Sequence, residues 1–161
     1  MPSLPIEKDI AMTPPTAPEG YRYYTPMTIR YGDMDTLGHV NNAKYLTYLE
    51  QARVSYFRDN GLWDGALSAL GLIIARVTID YKLPLTTADG TIDIWTRCNR
   101  LGNKSFDIEH QIITRRTGDA VIAATGTTVI VVFDYQKQMA IALPDAWRAL
   151  LLAYEPALRE A

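Results

Sequence analysis

Arg30-Tyr31-Gly32-Asp33-Met34-Asp35-Thr36-Leu37-Gly38-His39-Val40-Asn41-Asn42 runs without a break into Ala43-Lys44-Tyr45-Leu46-Thr47-Tyr48-Leu49-Glu50. The stretch ends a strand-like segment and crosses a short loop carrying two Asp, one Gly and one His. It then starts an amphipathic helix behind a pair of Asn. A helix N-terminus leaves backbone N–H groups without acceptors and favours negative charge. Acidic and imidazole side chains beside such a terminus are the parts needed to develop an oxyanion next to a carboxylate.

Working outward, Tyr45, Tyr48, Leu49, Ala52 and Tyr56 recur at helical spacing, and Leu46, Val54 and Phe57 widen their stripe. The spacing predicts a helix over 42–59, stopped at Asn60-Gly61. Residues 22–32 read as a strand. Downstream, Leu72–Tyr81 alternates in polarity, and Thr91–Leu101 places Ile92, Ile94 and Cys98 on one face with Trp95 on the other. Gly102-Asn103-Lys104 turns the chain into Ser105–Arg115, and Thr117-Gly118-Asp119 turns it into the β-branched run Ala120–Phe133. A short closing helix is expected at 144–153, with Pro144 near its first turn. The order is strand, long helix, four-strand antiparallel meander. That order predicts an α+β architecture, a single domain over 21–161 with its antiparallel sheet wrapped around one long helix. Strands apolar on both faces predict contact with another subunit.

The bulk numbers narrow the classes. The chain has 161 residues, enough for one domain with a real core. Its formal net charge of -2 gives no electrostatic case for a nucleic-acid partner. The single cysteine, Cys98, excludes an intrachain disulfide and a cysteine-rich metal site, and suits a reducing cytoplasm. In its strand it reads as a buried, inert thiol. Nothing approaches the apolar length of a membrane span, and residues 1–20 lack a signal-peptide core. Pro2, Pro5, Pro14, Pro15 and Pro18 make those residues an extended, flexible tail.

The run from Tyr31 through Asp33, Asp35, Gly38, His39, Val40, Asn41 and Asn42 to Tyr45, with Tyr48, Glu50 and Arg53 behind it, resembles the hot-dog-fold acyl-CoA thioesterases of the 4-hydroxybenzoyl-CoA thioesterase type. The resemblance covers about 21–135. It implies a five-stranded antiparallel sheet around the long helix, an acyl-CoA substrate, and a homodimer or homotetramer with active sites between subunits. It also implies that Asp35 is the essential carboxylate and that backbone N–H groups around Asn41, Asn42 and Ala43 form the oxyanion hole. Where aryl-CoA members carry an aromatic-proline segment, this chain has His39-Val40-Asn41-Asn42. That departure shifts the expected acyl group toward the aliphatic.

Thioester hydrolysis needs a nucleophile, or a base that activates water, and donors aimed at the carbonyl oxygen. Asp35 serves in either role, or else closes an Asx-turn in its loop. Asp33 reads as a structural hydrogen-bonding residue. Gly38 supplies a backbone shape that a side chain obstructs. His39 either donates toward the thioester or is a loop histidine. Asn41 or Asn42 is the N-cap. Glu50 pairs with Arg53 one turn on, or reaches into the pocket as a second carboxylate. Tyr45 belongs to the core or the acyl pocket, and His110 to a strand at an interface. Arg53, Arg100 and Lys104 are weak candidates for CoA phosphates. No metal or cofactor is required, because the CoA thiolate leaves readily. The rivals are an acyl-carrier-protein thioesterase, whose plant members carry Asn where this chain has Leu37; a hot-dog enoyl-CoA hydratase, whose Asp-x-Asn-Pro-x-His signature is missing; and a non-catalytic acyl-CoA-binding protein.

Overall fold

The computed structural model describes residues 15–63, 65, 69–155 and 157–160. Strand β1 (Tyr23–Thr28) leads through a 3-10 turn at Tyr31–Asp33 and a loop into helix α1 (Asn42–Asp59). Strands β2 (Leu70–Tyr81), β3 (Thr91–Leu101), β4 (Ser105–Thr114) and β5 (Val121–Asp134) follow. The two-residue β6 (Met139–Ala140), helix α2 (Asp145–Tyr154) and the two-residue β7 (Arg159–Glu160) complete the chain. The expected helix and the third strand have the predicted bounds. Pro144, expected near the first turn of the closing helix, is the N-cap of α2.

The sheet order is β1-β3-β4-β5-β2, with β6 beside β5 and β7 beside β3. This corrects the expected four-strand meander. Only β3, β4 and β5 follow one another through hairpins, while β2 lies at the far edge against β5. Residues 82–90, with Pro84 and a capped 3-10 turn at Thr87–Asp89, carry the chain from one edge back to β3. Alternating polarity identifies a strand but does not say which strand it will pair with. Most of the expected 1–20 tail, residues 1–14, lies outside the described residues. Within 15–20 the chain is already anchored: Pro18 O accepts the Tyr21 N–H at 3.1 Å, and Tyr21 is buried against Trp95.

Helix α1 lies along the inner face of the sheet. Its apolar stripe (Tyr48, Leu49, Ala52 and Tyr56) is fully buried. Close approach depends on Gly126 in β5, where a Cβ atom would stand 2.8 Å from Leu49 Cδ1 and 3.3 Å from Thr78 O. Leu49 is itself buried, and Thr78 O is backbone that cannot rotate away. Gly126→Val therefore destabilises the fold by about 2 kcal/mol, by overpacking the helix–sheet contact. Urea unfolding followed by circular dichroism measures it, and an unchanged midpoint would show that the helix does not depend on this gap.

At the other end, the Tyr56 hydroxyl donates to Glu155 Oε1 at 2.7 Å, and the same oxygen accepts the Cys98 N–H at 3.1 Å. This ties the end of α2 to β3. Burial raises the Glu155 carboxyl above its usual range, against the pull of these hydrogen bonds. Burial also pushes the Cys98 thiol up to about 12, so it is unreactive. No helix among the described residues is long and apolar enough to cross a membrane.

Candidate active site

The loop after β1 is built around Asp35. Its N–H donates to His39 O at 2.7 Å, and its own carbonyl accepts the Gly38 N–H at 3.2 Å. Its Oδ1 accepts the Leu37 N–H at 2.8 Å and the His39 N–H at 3.2 Å. The Asx-turn reading is thus present in the geometry, but it occupies one oxygen only. Among the described residues nothing donates to Oδ2, and the carboxylate is half-buried. Gly38 closes the loop at φ 82°, a conformation L side chains disfavour, with open space where a Cβ would stand. The His39 side chain is exposed at the loop's end.

Asn41, not Asn42, is the N-cap: its Oδ1 accepts the Ala43 N–H at 2.9 Å. Ala43, expected among the oxyanion donors, therefore has its N–H engaged already. Lys44 N–H returns to Asn41 O at 2.8 Å. Asn42, as the first helical residue, retains an N–H with no acceptor behind it in the helix. Two flanking contacts fix this terminus: Asn41 N–H donates to Asp33 O at 2.9 Å, and Val40 N–H donates to Leu85 O at 2.8 Å.

Asp33 is a buried organiser. Its Oδ2 accepts the Arg30 N–H at 2.9 Å and the Tyr48 hydroxyl at 2.7 Å, with Lys44 Nζ 3.8 Å from Oδ1. Burial pushes its carboxyl up. The two hydrogen bonds and the charges of Arg30 and Lys44 outweigh that and hold it below its ordinary value. Tyr45 is buried, and its hydroxyl accepts the Leu85 N–H at 3.3 Å, so it supports the loop that supports the helix start.

Sequence reading missed Tyr81. At the end of β2 it donates its hydroxyl to Asn42 O at 3.1 Å and sets its ring edge-on to Tyr45, 5.0 Å between centroids. Locally it reads as one more alternating strand residue. Nothing in its neighbours signals the contact with a helix start 39 positions away.

Farther along α1, Glu50 is exposed and Arg53 is buried. Both line a cavity of about 490 Å3 between the helix flank, β2 and α2. The expected Glu50–Arg53 ion pair does not form within 4.0 Å, although the Glu50 charge acts on Arg53 through space. Neither this cavity nor a polar one of about 230 Å3 on the outer face of the sheet includes residues 31–45. Arg100 is committed to Asp107 through two hydrogen bonds of 2.9 and 2.8 Å, which leaves it a poor phosphate ligand. His110 corrects its expected place at an interface. It points into the core with Thr96 Oγ1 3.1 Å from Nδ1, and burial, helped by the Arg53 charge, pushes its imidazole down to about 3. No group of three or more His, Cys, Asp or Glu among the described residues is placed to hold a metal ion.

The chain resembles known proteins over most of its length. It is 28% identical over 137 residues to a long-chain acyl-CoA thioesterase of Escherichia coli, FadM, covering 79% of this chain and 95% of that one. A Thermus thermophilus thioesterase solved with coenzyme A and zinc is 32% identical, with a TM-score of 0.72, over 86% of this chain and 98% of that one. A thioesterase-superfamily structure from Jannaschia shares the fold alone, at 21% identity and a TM-score of 0.79, with 89% of each chain covered. The family model described as the thioesterase-like superfamily matches residues 29–151, a span holding the Asp35 loop, α1 and the strands β2 to β5. With its sheet curled around α1, the chain belongs to that superfamily and has the hot-dog fold.

Proposed function

We propose that the protein hydrolyses acyl-CoA thioesters to free acid and CoA. The observation that carries this is the division of the Asp35 carboxylate: among the described residues Oδ1 is held by two backbone N–H groups and Oδ2 has no donor, just ahead of a helix start whose Asn42 N–H has no acceptor among them. Asp35 Oδ2 acts as nucleophile, or as the base that takes a proton from the attacking water. As the carbonyl carbon becomes tetrahedral, its oxygen gains negative charge and accepts from Asn42 N–H at the positive end of α1. Collapse breaks the C–S bond and releases the CoA thiolate, which takes up a proton; on the nucleophile route it leaves an Asp35–acyl anhydride, which water then hydrolyses to the free acid and the Asp35 carboxylate. His39 stands at the rim as a donor to the substrate.

The acyl group extends along the α1 flank, past Leu46 and Glu50, toward the 490 Å3 cavity. That length of apolar wall suits an aliphatic chain and agrees with the name of the Escherichia coli relative. The working unit is a homodimer or larger. The twelve-residue β2 is an edge strand, and such a strand is a template for pairing with a second copy. An Asp35 loop outside both cavities gains its walls from that partner. The free, buried thiol of Cys98 is consistent with a cytoplasmic setting.

Release of free thiol from a panel of acyl-CoAs tests the reading. Thiol appears in step with free acid, whereas an enoyl-CoA incubated alone is not hydrated. Hydration without thiol release would favour the hydratase alternative. Turnover of acyl carrier protein thioesters, with acyl-CoAs left intact, would move the substrate to the carrier protein.

A further inference from the structure

Arg53 is an anomaly within α1. It is only 6% exposed, yet among the described residues it makes no hydrogen bond and no ion pair within 4.0 Å. A guanidinium this enclosed, with its remaining exposure on the cavity, is a ready donor to a polar group that enters there. The nearby interior leaves further polar atoms unmatched. His110 Nε2 and Thr128 Oγ1 are buried without partners, and Thr128 lies diagonally across the β4–β5 ladder from His110 on the same inward face. Arg53 and Glu50 are the charged residues lining a cavity whose other walls include Val54, Phe57, Trp63 and Trp147.

We propose that this cavity selects acyl chains carrying a hydroxyl group part-way along, with Arg53 donating to the hydroxyl oxygen and Glu50 accepting a hydrogen bond from its O–H. This rests on the thioesterase reading above. A hydroxyl is both donor and acceptor, which matches a guanidinium beside a carboxylate. A carboxylate substituent would be repelled by Glu50, and a plain methylene would leave Arg53 bare. Sites built to hydrogen-bond a hydroxyl discriminate against analogues that lack it. The register follows from the helix. Arg53 lies eleven residues beyond Asn42, roughly 16 Å along the axis, and its side chain leans back toward the N-terminus, so the hydroxyl falls roughly eight to twelve carbons from the thioester. The chain beyond it fills the apolar end near Phe57, Trp63 and Trp147.

The test compares kcat/KM for stearoyl-CoA with that for its 3-, 10- and 12-hydroxy derivatives. The 10- or 12-hydroxy substrate exceeds stearoyl-CoA by about tenfold, and the 3-hydroxy one does not. Arg53→Met brings that ratio to about one, and Arg53→Lys restores part of it. Equal values for all four substrates in the unmodified protein overturn the proposal. So does a uniform loss in Arg53→Met that leaves the ratio intact, which would make Arg53 structural. Should Arg53→Met fail to fold, Glu50→Gln at the exposed rim lowers the same ratio, and an unaltered ratio there counts against the pair. If no acyl-CoA is hydrolysed, the thioesterase reading fails, and the cavity is judged separately by tryptophan emission. Trp63 and Trp147 line it, and the mid-chain hydroxyacyl-CoA binds about tenfold tighter than stearoyl-CoA; equal Kd values then sink the hydroxyl proposal as well.

Discussion

Asp35→Asn lowers acyl-CoA hydrolysis roughly a thousandfold, the range lost with a positioned general base, while stability at neutral pH changes by less than about 0.5 kcal/mol. The two effects separate because the two oxygens of Asp35 do separate work. An Asn side chain keeps an oxygen where Oδ1 accepts the Leu37 and His39 N–H groups, so the loop retains its shape. What it loses is the charge and the lone pairs of Oδ2. Thiol release under saturating substrate, alongside thermal melting, provides both readouts, and near-normal turnover in the variant would reduce Asp35 to a loop anchor. A single turnover in 18O-water detects a mixed anhydride that water opens at the Asp35 carbon. Direct attack by water places the label in the product acid. A mixed anhydride opened at the Asp35 carbon places it in the protein.

Asp33→Ala has the largest expected effect on stability, about 3 kcal/mol, because it leaves the Tyr48 hydroxyl buried without an acceptor and frees the Arg30 N–H. The pH dependence follows from the direction of the shift. Asp33 is held below its ordinary value, so the folded state binds this proton less readily than the unfolded chain. Its stabilising contribution is complete above the unfolded-state value, about pH 4, and is lost as pH falls through the lower folded-state value. The gap between the urea midpoints of the Ala variant and the unmodified protein is therefore smaller at pH 3 than at pH 7. A gap of equal size at both pH values would assign the cost to lost packing rather than to the carboxylate.

The elements that could be read from the sequence are those whose information is local. Tyr45, Tyr48, Leu49, Ala52 and Tyr56 mark α1 because burial on one side imposes their spacing, and all five are buried. The hairpin at Gly102 was legible because the turn residues adjoin the strands they join, and Gly102 N–H bonds to Ser105 O at 2.8 Å. The placement of β2 was not legible, since its polarity pattern suits either β3 or β5 as neighbour. The site divides in the same way. Asp35, Gly38 and the Asn pair form a continuous motif. By contrast, the roles of Tyr81, Leu85 and Arg53 depend on contacts made only after the sheet has curled. Choosing between Asn41 and Asn42 as cap required backbone angles that two identical neighbouring residues cannot reveal.

Tyr81 gives the architecture a mechanical property. One side chain joins the last residue of the outermost long strand to the first turn of α1, through a hydroxyl on the Asn42 carbonyl and a ring against Tyr45. The boundary of the sheet and the dipole end of the helix are therefore linked at one corner. A displacement of that boundary, whatever sits against it, reaches the peptide joining Asn42 to Ala43, the one next to the Asn42 donor. The charge-stabilising end of the site is thus held from two sides, by the rim of the fold at Tyr81 and by the interior at Asp33 and Leu85.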